Sequence, residues 1–254
     1  MKVVILAGGR GARLSEETTR IPKPMVHING KPILVHIMDI YKHFGHIEFI
    51  ICAGYKGELI KSYFNDYFLH NSDVTFFLNS GTSLTHNTRC DQISVTVVDT
   101  GLDTPTAGRV QQIQKYVGDE RFMLTYGDAV SNVNITNLLE FHSSEPSIAT
   151  LTAVKVPGRF GSLKLAGNFV EDFEEKIPST VNGGFFVFEP QIFEYLGDGS
   201  EMLEKNILPQ LARNGQLKAY QHQGYFQPMD SLHDKFALED DAQNTPLPWM
   251  NFNV

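Results

Sequence analysis

The residues Ala7-Gly8-Gly9-Arg10-Gly11-Ala12-Arg13-Leu14 follow directly on the apolar stretch Val3–Leu6. Three glycines just past a buried, β-branched run let the backbone close around a bulky ligand. Arg13 gives that turn a fixed positive charge. A little further on, Pro22-Lys23-Pro24 holds a lysine between two residues of fixed φ. Backbone amides, an arginine and a lysine converging after a first strand suit the phosphates of a nucleoside triphosphate.

A second group belongs with the first. In open α/β sheets, ligands bind outside the carboxyl ends of the strands. Tyr126-Gly127-Asp128 falls there, after a strand expected over Phe122–Thr125. A carboxylate beside bound phosphates points to Mg²⁺, which takes one or two carboxylates and completes its shell with phosphate oxygens and water. Taken alone, Asp128 reads better as the cap of a turn. The partner it needs as a metal ligand is Asp230, in Gln227-Pro228-Met229-Asp230, although Asp234, Asp240 and Asp241 make that end acidic anyway. Two phosphate motifs are excluded. No Gly-Lys-Ser/Thr follows the glycine loop, and Gly9-Arg10-Gly11 lacks the third glycine of the dinucleotide fingerprint. The nine histidines include no HExxH or other metal spacing and read as structural or exposed.

The elements that must position these groups alternate. Strands are expected at Lys2–Leu6, Ile47–Cys52, Val74–Leu78, Val95–Asp99, Phe122–Thr125 and Ile148–Val154. Helices are expected at Pro32–Phe44, Gly57–Phe68, Arg109–Tyr116 and Ile135–His142. That rhythm predicts an α/β fold, a Rossmann-like, doubly wound and mostly parallel sheet with helices on both faces. After Pro157 come short strands at Ser162–Leu165, Phe169–Glu174 and Gly184–Phe188, then helices at Glu201–Arg213 and Leu232–Glu239. They read as a continuation of the sheet plus a small substrate-facing lobe, so 1–254 is expected to be one domain. A tail over about 240–254, with Pro246, Pro248 and Trp249, is expected to pack on another element or subunit.

Composition narrows the partners. A net charge of −8 argues against nucleic acid, so a polyanionic ligand must be held by a local cation cluster. Arg13, Lys23, Arg109 and Lys176 are the candidates. No apolar run approaches the ~20 residues a membrane helix needs, and Val3–Leu6 is too short for a secretory h-region. Cys52 and Cys90 have no metal-ligand spacing, and a reducing cytoplasm is the expected setting.

Together, Leu6–Leu14 and Pro22-Lys23-Pro24-Met25 resemble the signature of the sugar-1-phosphate nucleotidylyltransferases. The match continues through Gly30–Ile33, Cys52–Gly57, Tyr126–Asp128, Pro157–Gly161, Asn182–Val187 and Gln227–Asp230. Ser15–Thr18, Asp73–Phe76 and Val97–Gly101 favour the cytidylyltransferase branch acting on glucose 1-phosphate. The resemblance implies transfer of CMP from CTP to a sugar 1-phosphate with release of pyrophosphate. In-line attack by an already ionised phosphate needs no general base, so catalysis rests on positioning and charge neutralisation. It implies Arg13 and Lys23 as catalytic cations, and Asp128 and Asp230 as the Mg²⁺ ligands. Nucleotide binding is implied for Leu6, Ala7, Gly8, Gly9, Gly11, Ala12 and Arg13, with Thr106 and Arg109 meeting the base or phosphates. Substrate binding is implied for Tyr126, Gly127, Glu175, Lys176, Asn182 and Gly183, and homo-oligomers are common in the family.

The chain also departs from the family pattern. Ala12 replaces a threonine, Ile21 a lysine, Ala107 and Ala129 glycines, and Asn132 an aspartate. Gln111 and Gln112 stand where basic residues are common, and Ile177 interrupts Glu-Lys-Pro. Two alternatives follow: the same chemistry on a different phosphorylated acceptor, sugar or non-sugar, or a weakened relative that binds nucleotide as a sensor or partner subunit.

Overall fold

A computed structural model describes residues 1–158 and 161–252. Arg159 and Phe160 of the Pro157–Gly161 motif, and the last two residues of the tail, lie outside the described residues. The strands are β1 Val3–Ala7, β2 His27–Ile28, β3 Lys31–Pro32, β4 Glu48–Ala53, β5 Ser72–Phe77, β6 Thr82–Thr88, β7 Ser94–Asp99, β8 Phe122–Tyr126, β9 Ala129–Ser131, β10 Ala149–Val156, β11 Ser162–Ala166, β12 Phe169–Glu174, β13 Ser179–Phe188, β14 Leu217–His222 and β15 Phe226–Pro228. The helices are α1 Ser15–Thr18, α2 Ile33–His43, α3 Gly57–His70, α4 Thr106–Gln112, α5 Gln114–Val117, α6 Ile135–Ser143, α7 Ile192–Tyr195, α8 Leu208–Arg213 and α9 Leu232–Asp241.

Seven strands form the central sheet in the order β14-β10-β13-β8-β1-β4-β7. β8, β1, β4 and β7 run parallel, β14 runs parallel to β10, and only β13 is antiparallel to its neighbours. The expected Rossmann-like, mostly parallel arrangement is therefore present. β1 shows why its sequence is continuously apolar. Val3, Ile5 and Ala7 pack into one buried layer with residues of α2, α3, α6 and α9, while Val4 and Leu6 pack into the other with α4, α5, α7 and α8. A strand covered on both faces has no polar side to alternate with.

Two expectations need correction. The strand at Gly184–Phe188 is the end of the ten-residue β13, which lies between β10 and β8. β5 is not in the main sheet; it pairs with β6, a strand the sequence reading lacks, through a turn closed by Gly81 N–H donating to the Phe77 carbonyl at 2.9 Å. Both strands are largely exposed, so they carry no burial pattern to announce them. The tail packs on the chain's own core: Trp249 is completely buried, with its ring edge-on to His36.

Topology places the site. From β1 the chain winds outward through β4 to β7, then returns to lay β8 on the other side of β1. The strand order reverses there, and the crevice opens at the carboxyl ends of β1 and β8.

Candidate active site

Those two strand ends carry the glycine loop and Tyr126-Gly127-Asp128. Gly127 N–H donates to the Leu6 carbonyl at 3.0 Å, tying one strand end to the other. A cavity of about 610 Å³ opens there. It is lined by Leu6, Ala7, Gly8, Gly9, Gly11, Ala12, Arg13 and Lys23, and also by Thr106, Arg109, Tyr126, Gly127, Asp128 and Asp230. Every implied nucleotide-binding, catalytic and metal-binding position thus meets in one concavity.

The loop is shaped by the absence of side chains. A Cβ on Gly8 would lie 2.0 Å from Nη1 of Arg109. Gly11 turns at φ +62°, where a Cβ would also press on Thr18 at 2.8 Å. From outside, Tyr55 N–H donates to the Gly8 carbonyl at 3.1 Å. Its hydroxyl donates to the Thr18 carbonyl at 2.9 Å, and Lys56 donates to that of Thr19.

Arg109 sits behind this loop. It is 5% exposed, and its guanidinium donates to the carbonyls of Gly8, Ala53, Gly101 and Leu102 and to the Thr100 hydroxyl. Burial lowers its pKa from the ordinary arginine value. Cys52, beneath it, is a core thiol pushed up to about 12 by burial. Arg13 is the opposite case. Its side chain is 81% exposed and reaches Asp230 at only 3.4 Å, a pairing worth little in water, so its charge is available to a ligand.

Lys23 connects the two implied metal ligands. Its Nζ donates to Asp128 Oδ2 at 2.8 Å and to Asp230 Oδ1 at 2.7 Å. Pro22 and the single turn Lys23–Met25 bury the lysine stem. Burial disfavours the ammonium, but Asp128 and Asp230 more than offset it, and the pKa lies above the ordinary lysine value. Asp230 is brought from the far end of the chain by the pairing of β9 with β15, which continues as Met229 N–H donates to the Asp128 carbonyl at 2.8 Å. Ser231 and Asp234 then close a capping box at the start of α9 and hold that segment.

The residues implied for acceptor binding are more dispersed. Tyr126 lines the main cavity, and Asn182 Nδ2 donates to its hydroxyl at 3.3 Å. Gly183 faces the bulge in β10, where a Cβ would meet Val154 at 2.9 Å. Lys176, at φ +53°, lines an adjoining cavity of about 580 Å³ together with Arg13, Gly158 and Asp230. Glu175 lies beside Gly161 and lines neither cavity. Sequence reasoning missed Met202, which lines the main cavity, and Glu204, which accepts from Thr106 and Tyr126. Both fall within an ordinary helical pattern at Glu201–Arg213, which carries no signal for them.

The carboxylate pair suits a hard cation. Two oxygen-donor side chains converge, and the described residues include no group of three or more His, Cys, Asp or Glu placed to hold a metal. Mg²⁺ needs no larger protein cage when phosphates complete its shell. Among the described residues no helix is long and apolar enough to cross a membrane.

Comparisons with known proteins show the family and the fold. The family model described as nucleotidyl transferase matches residues 2–234. The chain is 47% identical over 253 residues to glucose-1-phosphate cytidylyltransferase of Salmonella typhimurium, covering 98% of each chain. It is 43% identical over 234 residues to the probable glucose-1-phosphate cytidylyltransferase of Bacillus subtilis, covering 91% of this chain and 92% of that one. Among solved structures, HddC from Yersinia pseudotuberculosis superposes with a TM-score of 0.69 at 25% identity, covering 94% of this chain and 98% of that one. A UDP-glucose pyrophosphorylase complexed with UDP-glucose shares the fold at a TM-score of 0.63 and 17% identity, covering 95% of this chain and 98% of that one.

Proposed function

The chain belongs to the nucleotidyl transferase family, and we infer that it transfers CMP from CTP to glucose 1-phosphate, giving CDP-glucose and pyrophosphate. The observation that carries this reading is the convergence of Lys23 with Asp128 and Asp230 at the mouth of the glycine loop, supported by the near full-length identity to glucose-1-phosphate cytidylyltransferases.

The chemistry follows from charge. A phosphate oxygen of the acceptor attacks the α-phosphorus of CTP; that bond forms as the bond from α-phosphorus to the bridging oxygen breaks, and pyrophosphate leaves with the electron pair. The attacking oxygen is already ionised near neutral pH, so the protein's task is alignment and neutralisation. The loop Gly8–Gly11 offers backbone to the triphosphate. Arg13 supplies an exposed cation between the two cavities, and Lys23 a buried one beside the carboxylates. Asp128 and Asp230 would hold Mg²⁺, which when bound neutralises phosphate charge and orients the reacting groups. Tyr126 and Asn182 lie on the acceptor side, with Lys176 across the adjoining cavity.

Two free thiols, Cys52 and Cys90, suit the reducing cytoplasm where we place the protein. The exposed apolar side chains Leu165, Phe169 and Phe173 on the β11–β12 hairpin suit a homo-oligomer. The deciding experiment is pyrophosphate release from purified protein with Mg²⁺, each of the four nucleoside triphosphates and a panel of phosphorylated acceptors. Turnover with CTP and glucose 1-phosphate is expected. Preference for another acceptor would replace the substrate, and nucleotide binding without turnover would replace the enzyme by a sensor.

A further inference from the structure

Glu204 lies outside the lining of the main cavity but controls two residues within it. Its Oε2 accepts from the Thr106 hydroxyl at 2.7 Å, and its Oε1 accepts from the Tyr126 hydroxyl at 2.8 Å. Thr106 opens α4 on the nucleotide side; Tyr126 ends β8 and receives Asn182 Nδ2 on the acceptor side. One carboxylate therefore spans both walls. Hydroxyl-to-carboxylate bonds of this length are the strong kind.

The local backbone is built for this contact. Glu204 is presented by a π-helical turn, Leu203–Ile207, a rare element that is frequent at functional sites. Leu203 N–H donates to Thr106 Oγ1 at 2.8 Å, leaving that hydroxyl's proton directed to Glu204. The approach of this segment to α4 depends on a glycine pair: a Cβ on Gly108 would lie 2.4 Å from the Gly199 carbonyl oxygen. The Tyr126 hydroxyl, receiving Asn182 Nδ2, has its own proton directed to Glu204.

We propose that Glu204 is a positioning residue that sets the nucleotide wall and the acceptor wall at a fixed separation, through Thr106 and Tyr126. The proposal rests on the CTP and sugar-phosphate reading above. A carboxylate accepts a hydroxyl proton on each of its two oxygens, as Glu204 does here; glutamine keeps the size but replaces one of those oxygens by a donor.

The test combines steady-state kinetics with crystal structures of variants. Glu204→Ala is expected to raise KM for CTP and for the acceptor by roughly tenfold or more each. Tyr126→Phe should raise the acceptor KM alone, and Thr106→Val the CTP KM alone. Adding Glu204→Ala to Tyr126→Phe should then change the acceptor KM little further, because the two changes break one bond. Glu204→Gln, isosteric and folded, should recover one of the two KM values. Wild-type KM values in Glu204→Ala with only Tm altered, or full additivity in the double variant, would overturn the proposal. Absence of turnover by the unaltered protein would defeat the assigned reaction and not this role. The ligand-free crystal structures then decide it: Tyr126 and Thr106 displaced in Glu204→Ala upholds the role, and both unmoved ends it.

Discussion

The backbone N–H of Met229 donates to the carbonyl of Asp128 at 2.8 Å, which locks together two segments a hundred residues apart in the chain. Because of that bond, Asp230 and Asp128 both reach the Lys23 ammonium. Like charges this close tolerate each other only with a cation between them or beside them. Asp128→Asn and Asp230→Asn are each expected to lower kcat by roughly 10²–10³. The double variant should be little worse than either single one, since the pair acts as a unit. Pyrophosphate release across a Mg²⁺ titration checks both; rates and Mg²⁺ dependence like those of the unaltered protein would refute the assignment.

Gly8 supplies a sharper steric prediction. Its missing side chain is where Arg109 lies, and the guanidinium is held there by five acceptors. Alanine at this position must push out either the arginine or the loop. Displacing the arginine forfeits the five hydrogen bonds of a buried guanidinium, so the loop is the part expected to give way. Gly8→Ala should weaken CTP binding by roughly a hundredfold or more, measured by calorimetric titration. Binding within a few-fold of the unaltered protein would show that the loop tolerates the change.

Much of this site was legible in the sequence. Gly8, Gly11, Arg13, Lys23 and Asp128 stand close to strand ends that apolar runs announce, so their convergence followed from topology. Asp230 was legible only as a motif, because the β9–β15 pairing that delivers it involves strands of three residues each. Arg109 was expected as a cation near the phosphates; its five backbone and hydroxyl partners were not legible, since they come from three separate segments. Glu204 was invisible for a simpler reason. A glutamate in a helical pattern looks solvated, and its two partners are 98 and 78 residues away. β6, the partner of the expected strand β5, escaped because an exposed strand carries no burial pattern.

Acid sensitivity follows from buried histidines. His142 is held between Thr150 Oγ1 at 2.8 Å and Glu189 Oε1 at 3.2 Å, and His36 binds the Ile28 carbonyl at 2.9 Å. Burial lowers the pKa of both, outweighing the hydrogen bonds that favour the charged ring. A folded pKa below the unfolded value of about 6.5 means that the unfolded chain takes up protons first as pH falls. Stability from these groups is complete above that value and is lost as pH drops below it. Tm should therefore decline from pH 7 to pH 5, and the decline should be shallower in His142→Gln. An equal slope in the variant would remove His142 from the account.

Trp249 ties the tail to the site through the core. Its ring sits edge-on to His36 at 5.2 Å and 6.1 Å from Tyr225, whose carbonyl accepts from Ser131 of β9. Two residues on, the Asn251 carbonyl accepts from Asn132 Nδ2 at 2.8 Å, just past the same strand. β9 starts at the residue after Asp128, so the tail buttresses the strand that follows one of the two proposed metal ligands. Trp249→Ala removes a fully buried indole and is expected to cost about 3–5 kcal/mol, lowering Tm by roughly 10 °C. Circular dichroism is the appropriate probe, because the variant has lost the chain's single tryptophan. Loosening β9 should also weaken Mg²⁺ activation below the new Tm, whereas Trp249→Phe, which keeps a ring in the socket, should restore most of both. A destabilised Trp249→Ala whose Mg²⁺ requirement matches the unaltered protein would separate the tail from the site.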